Sequence, residues 1–206
     1  MGAASMLRPF TPPAGDVVLK IALVVMAAGF SHRFRQQTGE HKLLALLNGK
    51  PVLQHTLQQA AASGLDLFVV TRPDQTAIQA MIPPASCVLC DSSGLGESIA
   101  AGVGASSEYD GWLIALGDMP FISARSYRAV AAALADAPVV RPWINGIPGH
   151  PVGFQHHYYR SLTALQGDRG AQAIVKRDEV RVPLSDCGCL YDIDLPGDLQ
   201  RIKEFS

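Results

Sequence analysis

Apolar and polar positions along the 206-residue chain follow two alternating periods. Val17–Met26 is a valine-rich apolar run interrupted only by Lys20, the pattern of a buried parallel strand. Pro51–Ala62 sets Val52, Leu53, Thr56, Leu57 and Ala60 at helical spacing, and Gly64 marks its end. Further strands are expected at LDLFVVT, SCVLC, WLIAL, PVVRP, HPVGF, VRVPL and LYDID. Helices are expected at ESIAAGV, at ARSYRAVAAALADA, over 170–177, and at DLQRIKEF, where Leu199, Ile202 and Phe205 share a face. Strands alternating with helices predict an α/β fold, a mostly parallel sheet covered on both sides. One domain over 17–206 is expected, with residues 1–16 a flexible tail marked by Pro12 and Pro13.

Composition narrows the partners. The chain is 48% hydrophobic and 17% charged, with a net charge of −1. Nucleic acid is not an expected partner, because a phosphate backbone demands clustered Lys and Arg. Neither is a membrane, since no apolar stretch is long enough to span one. The start has no apolar segment of a signal peptide, and Met6 stands where a myristoylation signal wants Ser or Thr. Cys87, Cys90, Cys187 and Cys189 have spacings that zinc would accept, but SCVLC reads as a short buried strand and CGC as a loop. Free thiols and a cytoplasmic location are expected.

In open α/β sheets ligands sit beyond the carboxyl ends of the strands, so those ends carry the chemistry. The first strand runs into Ala27-Ala28-Gly29, a turn poor in side chains that lets backbone N–H groups approach a ligand. Neither the G-x-x-x-x-G-K-[ST] loop nor G-x-G-x-x-G follows the first strand. Arg33 and Lys42 do follow, a guanidinium and an ammonium suited to a polyphosphate. WLIAL ends in Gly117-Asp118, and a carboxylate there needs a partner or a metal, unless it only shapes the turn before Pro120. Asp192 and Asp194, two apart on an expected strand, face the same way, and one of them can join Asp118 on a metal. The same segment also reads as a strand leading into a helix cap, with Asp198 in the first turn.

VVMAAGFSHRF…GEHKLL, GLGESIAAGV, LGDMPFI, GIPGHPVGF, LQGDRGAQAIV and YDIDLPGDL occur in this order. Together they resemble the blocks of the MobA-like nucleotidyltransferases, and most closely those of the molybdenum cofactor cytidylyltransferases. The resemblance implies a single Rossmann-like, three-layer α/β/α domain of the nucleotide-diphospho-sugar transferase type. It implies that Ala27, Ala28, Gly29, Ser31, Gly94 and Ser98 bind the nucleotide and that Arg33 and Lys42 bind its triphosphate. Asp118 would bind Mg²⁺ with Asp192 or Asp194 as a second ligand, Lys42, Arg33 and Asp118 forming the catalytic set. His150 would face the acceptor.

The implied reaction moves a cytidylyl group from CTP to the terminal phosphate of the molybdenum–molybdopterin cofactor, which then passes to a molybdoenzyme. A phosphate acceptor is largely dianionic at neutral pH and needs no general base. The A-A-G turn resembles that of cytosine-specific relatives, while guanine-specific ones carry A-G-G. The alternatives are a guanylyltransferase, a transferase acting on a sugar or alcohol phosphate, and a nucleotide-binding cofactor chaperone without turnover. Three departures stand out. Arg35, Gln36, Gln37 and Thr38 come before Gly39, an expected loop insertion that loosens Arg33; Leu195 replaces Thr; and Gly197 replaces Glu.

Overall fold

The computed structural model describes residues 19–201. The expected tail, Val17 and Val18 of the first strand, and Ile202 and Phe205 of the last helix lie outside the described residues. In chain order the elements are β1 (Ile21–Met26), α1 (His32–Thr38), β2 (Leu46–Leu47), β3 (Lys50–Pro51), α2 (Val52–Ala62), β4 (Asp66–Thr71), α3 (Thr76–Gln79), β5 (Cys87–Leu89) and α4 (Leu95–Gly104). After them come β6 (Gly111–Leu116), α5 (Ala124–Ala133), β7 (Val139–Ile144), β8 (Ile147–Pro148), β9 (Val152–Gln155), α6 (Tyr159–Thr163), α7 (Gln172–Asp178), β10 (Glu179–Pro183) and α8 (Asp198–Arg201).

The main sheet runs β10-β7-β9-β6-β1-β4-β5, with β8 paired to β7. β1 is parallel to both β4 and β6, β4 to β5, and β7 to β10, whereas β9 runs against β6 and β7. The expected mostly parallel sheet is therefore present. Side chains alternate along β1, and both faces are buried. Leu23, Val25 and Ala27 join one core with Leu53 of α2 and Val130 of α5. Ala22, Val24, Met26 and Ala28 join the other core with Ile99 of α4 and Ile174 of α7. This two-sided burial is why the sequence of β1 is a continuous apolar run.

Three local expectations are corrected, and one hairpin was not foreseen. The stretch carrying Arg35 to Thr38 is helix α1, not a loop. Phe34 buries its inner face, and Gly39 (φ 76°) ends it by donating its N–H to the Arg35 carbonyl at 2.8 Å. SCVLC is an edge strand of three residues, half-buried because the sheet continues on one side only. Asn48-Gly49 (φ 49° and 80°) turns β2 into β3, a hairpin signal the apolar pattern obscured. LYDID is not a strand. Cys187–Leu190 form one 3₁₀ turn, and 191–194 follow as irregular chain. Asp186 winds that turn, because its carboxylate offers the backbone an alternative to a ladder.

The Asp186 carboxylate accepts from Gly188 N–H at 2.9 Å, Ser123 N–H at 3.0 Å and Ser126 Oγ at 2.6 Å. Burial pushes its carboxyl up, but these bonds outweigh burial and hold it below the usual range. A depressed acid stabilises the fold above its unfolded pKa of about 3.9, and that stability is lost as pH falls through the folded value. Asp186→Ala should cost about 2–3 kcal/mol in urea unfolding at pH 7. The gap to the unaltered protein should narrow at pH 3.

Candidate active site

The chain leaves β1 for β4 and β5 on one side and returns as β6 on the other, making a topological switch point between β1 and β6. Met26 and Leu116 are register partners, so Ala27-Ala28-Gly29 and Gly117-Asp118 emerge side by side. Gly117 N–H bonds the Met26 carbonyl at 2.9 Å, and a Cβ on Gly117 would sit 2.9 Å from that oxygen. The approach of the two turns therefore demands glycine.

A cavity of about 260 Å³ opens there, lined by Ala28, Gly29, Ser31, Lys42, Gly94 and Ser98. Ala27 is outside it. Its methyl belongs to the opposite core, and its N–H is spent on the Val70 carbonyl at 2.8 Å. The strand's alternation lets only one of the two alanines line the cavity. Ser98 is buried and donates its hydroxyl to Ser92 at 2.8 Å. Gly94 lies against the 167–168 loop, where an added Cβ would meet Asp168 Oδ1 at 2.5 Å and the Gly167 carbonyl oxygen at 2.6 Å. Gly96 N–H bonds the Gly167 carbonyl at 2.7 Å, and Glu97 Oε1 accepts from Gly167 N–H at 3.1 Å. These bonds clamp the start of α4 to that loop, so the cavity wall is built from two distant segments.

His41 is buried and also lines the cavity. Its Nε2 lies 2.9 Å from the Gly29 carbonyl, and its Nδ1 accepts from Leu43 N–H at 3.2 Å. Only a neutral ring protonated on Nε2 satisfies both contacts. Its pKa is lowered, chiefly by burial and further by the Arg35 and Lys42 charges, against the raising effect of the Gly29 bond. Gln75 Nε2 adds a second donor to the same carbonyl at 3.3 Å. His41 thus ties the Gly29 turn to the segment that carries Lys42.

At the lip, Lys42 Nζ lies 2.5 Å from Asp118 Oδ2 and 2.8 Å from Asp194 Oδ1, and Arg33 reaches Asp194 Oδ2 at 3.1 Å. Burial opposes the lysine's charge, but the two carboxylates overcome it and raise its pKa. Arg33 is 74% exposed along its side chain, so its charge is available to a ligand. One oxygen each from Asp118, Asp192 and Asp194 lies within 4.8 Å of the others. The three carboxylates converge although 191–194 is not a strand. Ile193 N–H bonds the Asp118 carbonyl at 2.9 Å and draws the segment across the end of β6. Asp198 Oδ2 then accepts from Asp194 N–H at 3.0 Å and Leu195 N–H at 2.8 Å, a capping arrangement that the Leu195 and Gly197 departures leave intact. Burial and the neighbouring charges of Asp118 and Asp194 raise the Asp192 carboxyl. Burial also acts on Asp194, but Lys42 and Arg33 outweigh it and hold that carboxyl down. Asp118 Oδ1 is buried without a hydrogen-bond partner in the protein, as a metal-facing oxygen would be.

His150 lies elsewhere, in a second cavity of about 350 Å³ that adjoins the first across Leu95 and Leu116, which line both. Burial, with the Arg141 charge, lowers its pKa to about 4 against the bond to the Ile114 carbonyl, so the ring is neutral at pH 7. Sequence reasoning missed His41, Gln75, Ser92 and Asp168. Two of them carried a positional hint: His41 is adjacent to Lys42, and Asp168 lies within the LQGDRGAQAIV block.

A switch-point crevice with phosphate-seeking cations and a carboxylate cluster at its lip is the arrangement of a nucleotidyltransferase. Residues 23–182 match the model of the MobA-like NTP transferase domain, and the chain belongs to that family. Rv0371c from Mycobacterium tuberculosis H37Rv is 25% identical, covering 90% of this chain and 98% of its own, with a TM-score of 0.74. A manganese complex of Rv0371c is matched at 23% identity over 91% of this chain and all of the other (100%), with a TM-score of 0.70. Molybdopterin-guanine dinucleotide biosynthesis protein A from Archaeoglobus fulgidus is 20% identical, covering 89% and 97% of the two chains, with a TM-score of 0.67. Among curated proteins, 3-deoxy-manno-octulosonate cytidylyltransferase from Alteromonas mediterranea is 32% identical over 111 residues, 52% of this chain. The chain spans less than half, 44%, of that relative's length. No helix among the described residues is long and apolar enough to cross a membrane.

If His41 holds the Gly29 turn, His41→Ala should weaken nucleotide binding about tenfold, the order of one lost hydrogen bond in a buried site. His41→Gln, which keeps a donor, should recover part of that loss in calorimetric titration.

Proposed function

We propose that the protein, as one domain over 17–206, transfers a cytidylyl group from CTP to the terminal phosphate of the molybdenum–molybdopterin cofactor. An oxygen of the acceptor phosphate attacks the α-phosphorus, the bond to the β-phosphate oxygen breaks, and pyrophosphate leaves. The observation that carries this reading is the Lys42–Asp118–Asp194 array at the lip of the switch-point cavity.

Asp118, Asp192 and Asp194 fit a hard divalent cation by their oxygen donors and by the unpartnered Asp118 oxygen. In this reading they hold Mg²⁺, which when bound neutralises triphosphate charge. Lys42, charged throughout the physiological range, and Arg33 hold the phosphates in line and offset the charge that builds on the leaving pyrophosphate. The acceptor phosphate arrives ionised, so no side chain need take a proton from it. Ala28 faces the cavity while Ala27 does not, so the Ala28 methyl is the group that trims the base pocket toward a pyrimidine. The cytidylyltransferase name of the curated relative supports the choice of CTP. Four free thiols fit a reducing cytoplasm, where the product would pass to a molybdoenzyme.

Pyrophosphate release with purified molybdenum cofactor and each of the four nucleoside triphosphates tests this directly. CTP should exceed GTP by about 10–200-fold in kcat/KM, the reach of pocket shape alone, and Ala28→Gly should narrow the gap. Equal or better use of GTP by the unaltered protein overturns the cytidylyl assignment.

Lys42 should matter more to the transition state than to binding. Lys42→Ala is expected to lower kcat by a larger factor than it raises the Kd for CTP. A change confined to Kd would reduce the lysine to a docking group.

A further inference from the structure

The first cavity has a phosphate end. Lys42 lines it, and an adjoining cavity of about 210 Å³ shares Ser31, His32 and Lys42 with it and adds Arg33 and Asp194. The phosphates of a nucleotide belong at that junction. Gly94 and Asp168 line the first cavity but not the adjoining one. Asp168 is exposed, and among the described residues its side chain has no ion-pair or hydrogen-bond partner. Its position is nonetheless built. Gly94 leaves room for it, since a Cβ there would meet Asp168 Oδ1 at 2.5 Å and the Gly167 carbonyl carbon at 2.6 Å. Glu97 Oε1 accepts from Gly167 N–H at 3.1 Å and from Ser93 Oγ at 3.1 Å. The Gly167 bond holds the Glu97 carboxyl below its usual range, so the clamp on the Asp168 loop is charge-assisted at pH 7.

We propose that Asp168 reads the sugar of the nucleotide: its carboxylate accepts from the 2′- and 3′-hydroxyls of a ribose and selects a ribonucleoside triphosphate over its 2′-deoxy counterpart. The proposal rests on the nucleotidyl-transfer reading above and adds to it a residue that sets sugar specificity. A carboxylate only accepts, so it repels phosphate and rewards a group that can donate. A cytidine nucleotide has two such groups, the ribose diol and the base amine. Location favours the diol. Asp168 is exposed beside Gly94, while Met26, Ala28 and Leu116 line the same cavity with apolar surface that suits the base. The sugar joins base to phosphates and so occupies the more open level between them. Hydroxyls on adjacent carbons also match the two oxygens of one carboxylate. A site built around a hydroxyl rejects the analogue that lacks it, because the acceptor is then left unpaired. Glu97 acts only through Gly167 and Ser93, which makes it a positioning residue for Asp168.

The test is calorimetric titration of the full chain with CTP, 2′-deoxy-CTP and UTP at one Mg²⁺ concentration. The unaltered protein should bind CTP at least tenfold more tightly than 2′-deoxy-CTP, the order of one hydrogen bond to a charged group. Asp168→Ala, at an exposed position, should narrow that ratio to within about threefold and leave the ratio of CTP to UTP unchanged. Glu97→Ala should narrow the sugar ratio in the same way. Glu97→Gln, which keeps a carbonyl oxygen for the Gly167 N–H, should restore most of it. A general loosening of the fold would weaken all three nucleotides together and leave both ratios in place. Equal binding of CTP and 2′-deoxy-CTP by the unaltered protein, or an unchanged sugar ratio in Asp168→Ala, overturns the proposal and leaves the nucleotide site standing. Loss of the CTP-to-UTP ratio in Asp168→Ala, with the sugar ratio intact, also overturns it and moves Asp168 to the base amine. Failure of all three nucleotides to bind the unaltered protein ends the nucleotidyl-transfer reading and the proposal together.

Discussion

Three carboxylates meet where β6 ends, and like charges that close together persist only with cations among them. Lys42 supplies one, held by Asp118 and Asp194, and Arg33 pairs with the other oxygen of Asp194. Much else at this end of the molecule follows from bringing that cluster together. The Ile193 bond to the Asp118 carbonyl, the Asp198 cap over Asp194 and the His41 strut beneath Gly29 each fix one participant by its backbone. The array is therefore held by main-chain geometry, which leaves the charged side-chain atoms facing the cavity and its lip.

The sheet determines where this can occur. β1 is buried on both faces, so successive residues at its carboxyl end point into opposite cores. That alternation separates two adjacent alanines by role. Ala27 completes the core beneath α2 and α5, and Ala28 shapes the cavity above. The small residues of the turn are needed for different reasons at each position: packing for one, access for the other. Gly117 opposite them is required by the closeness of the Met26 carbonyl.

The apolar run of β1, the helical stripe of α2 and the buried WLIAL strand were legible in the sequence because two-sided burial leaves a continuous signal. Lys42, Asp118 and the late Asp pair were legible as candidates, and they meet at one lip. The route to that convergence was not legible. Asp192 and Asp194 were expected on one face of a strand, yet Asp186 diverts the preceding chain into a turn and the pair arrives on irregular backbone. The extra residues after Arg33 gave no apolar stripe, because a single buried Phe34 is enough to seat a helix of seven residues. Asp168 lies within a quoted block and Ser92 just before another, but only the fold brings both to the cavity and sets Gln75 against the Gly29 turn. Their contacts are hydrogen bonds and close approaches, which leave no periodicity to read.

On the proposed function, the carboxylate cluster exists for a bound cation and phosphates, at the fold's expense. The most direct measurement is the melting temperature of Asp192→Asn beside the unaltered protein at pH 7, first with chelator and then with Mg²⁺ and CTP. Asp192 is the member whose ionised form is opposed, by burial first and then by its carboxylate neighbours. Neutralising it should therefore leave the melting temperature in chelator equal or higher, and should reduce or abolish the rise produced by Mg²⁺ with CTP. A lower melting temperature in chelator, with the ligand-induced rise intact, would make Asp192 a structural carboxylate and contradict the account.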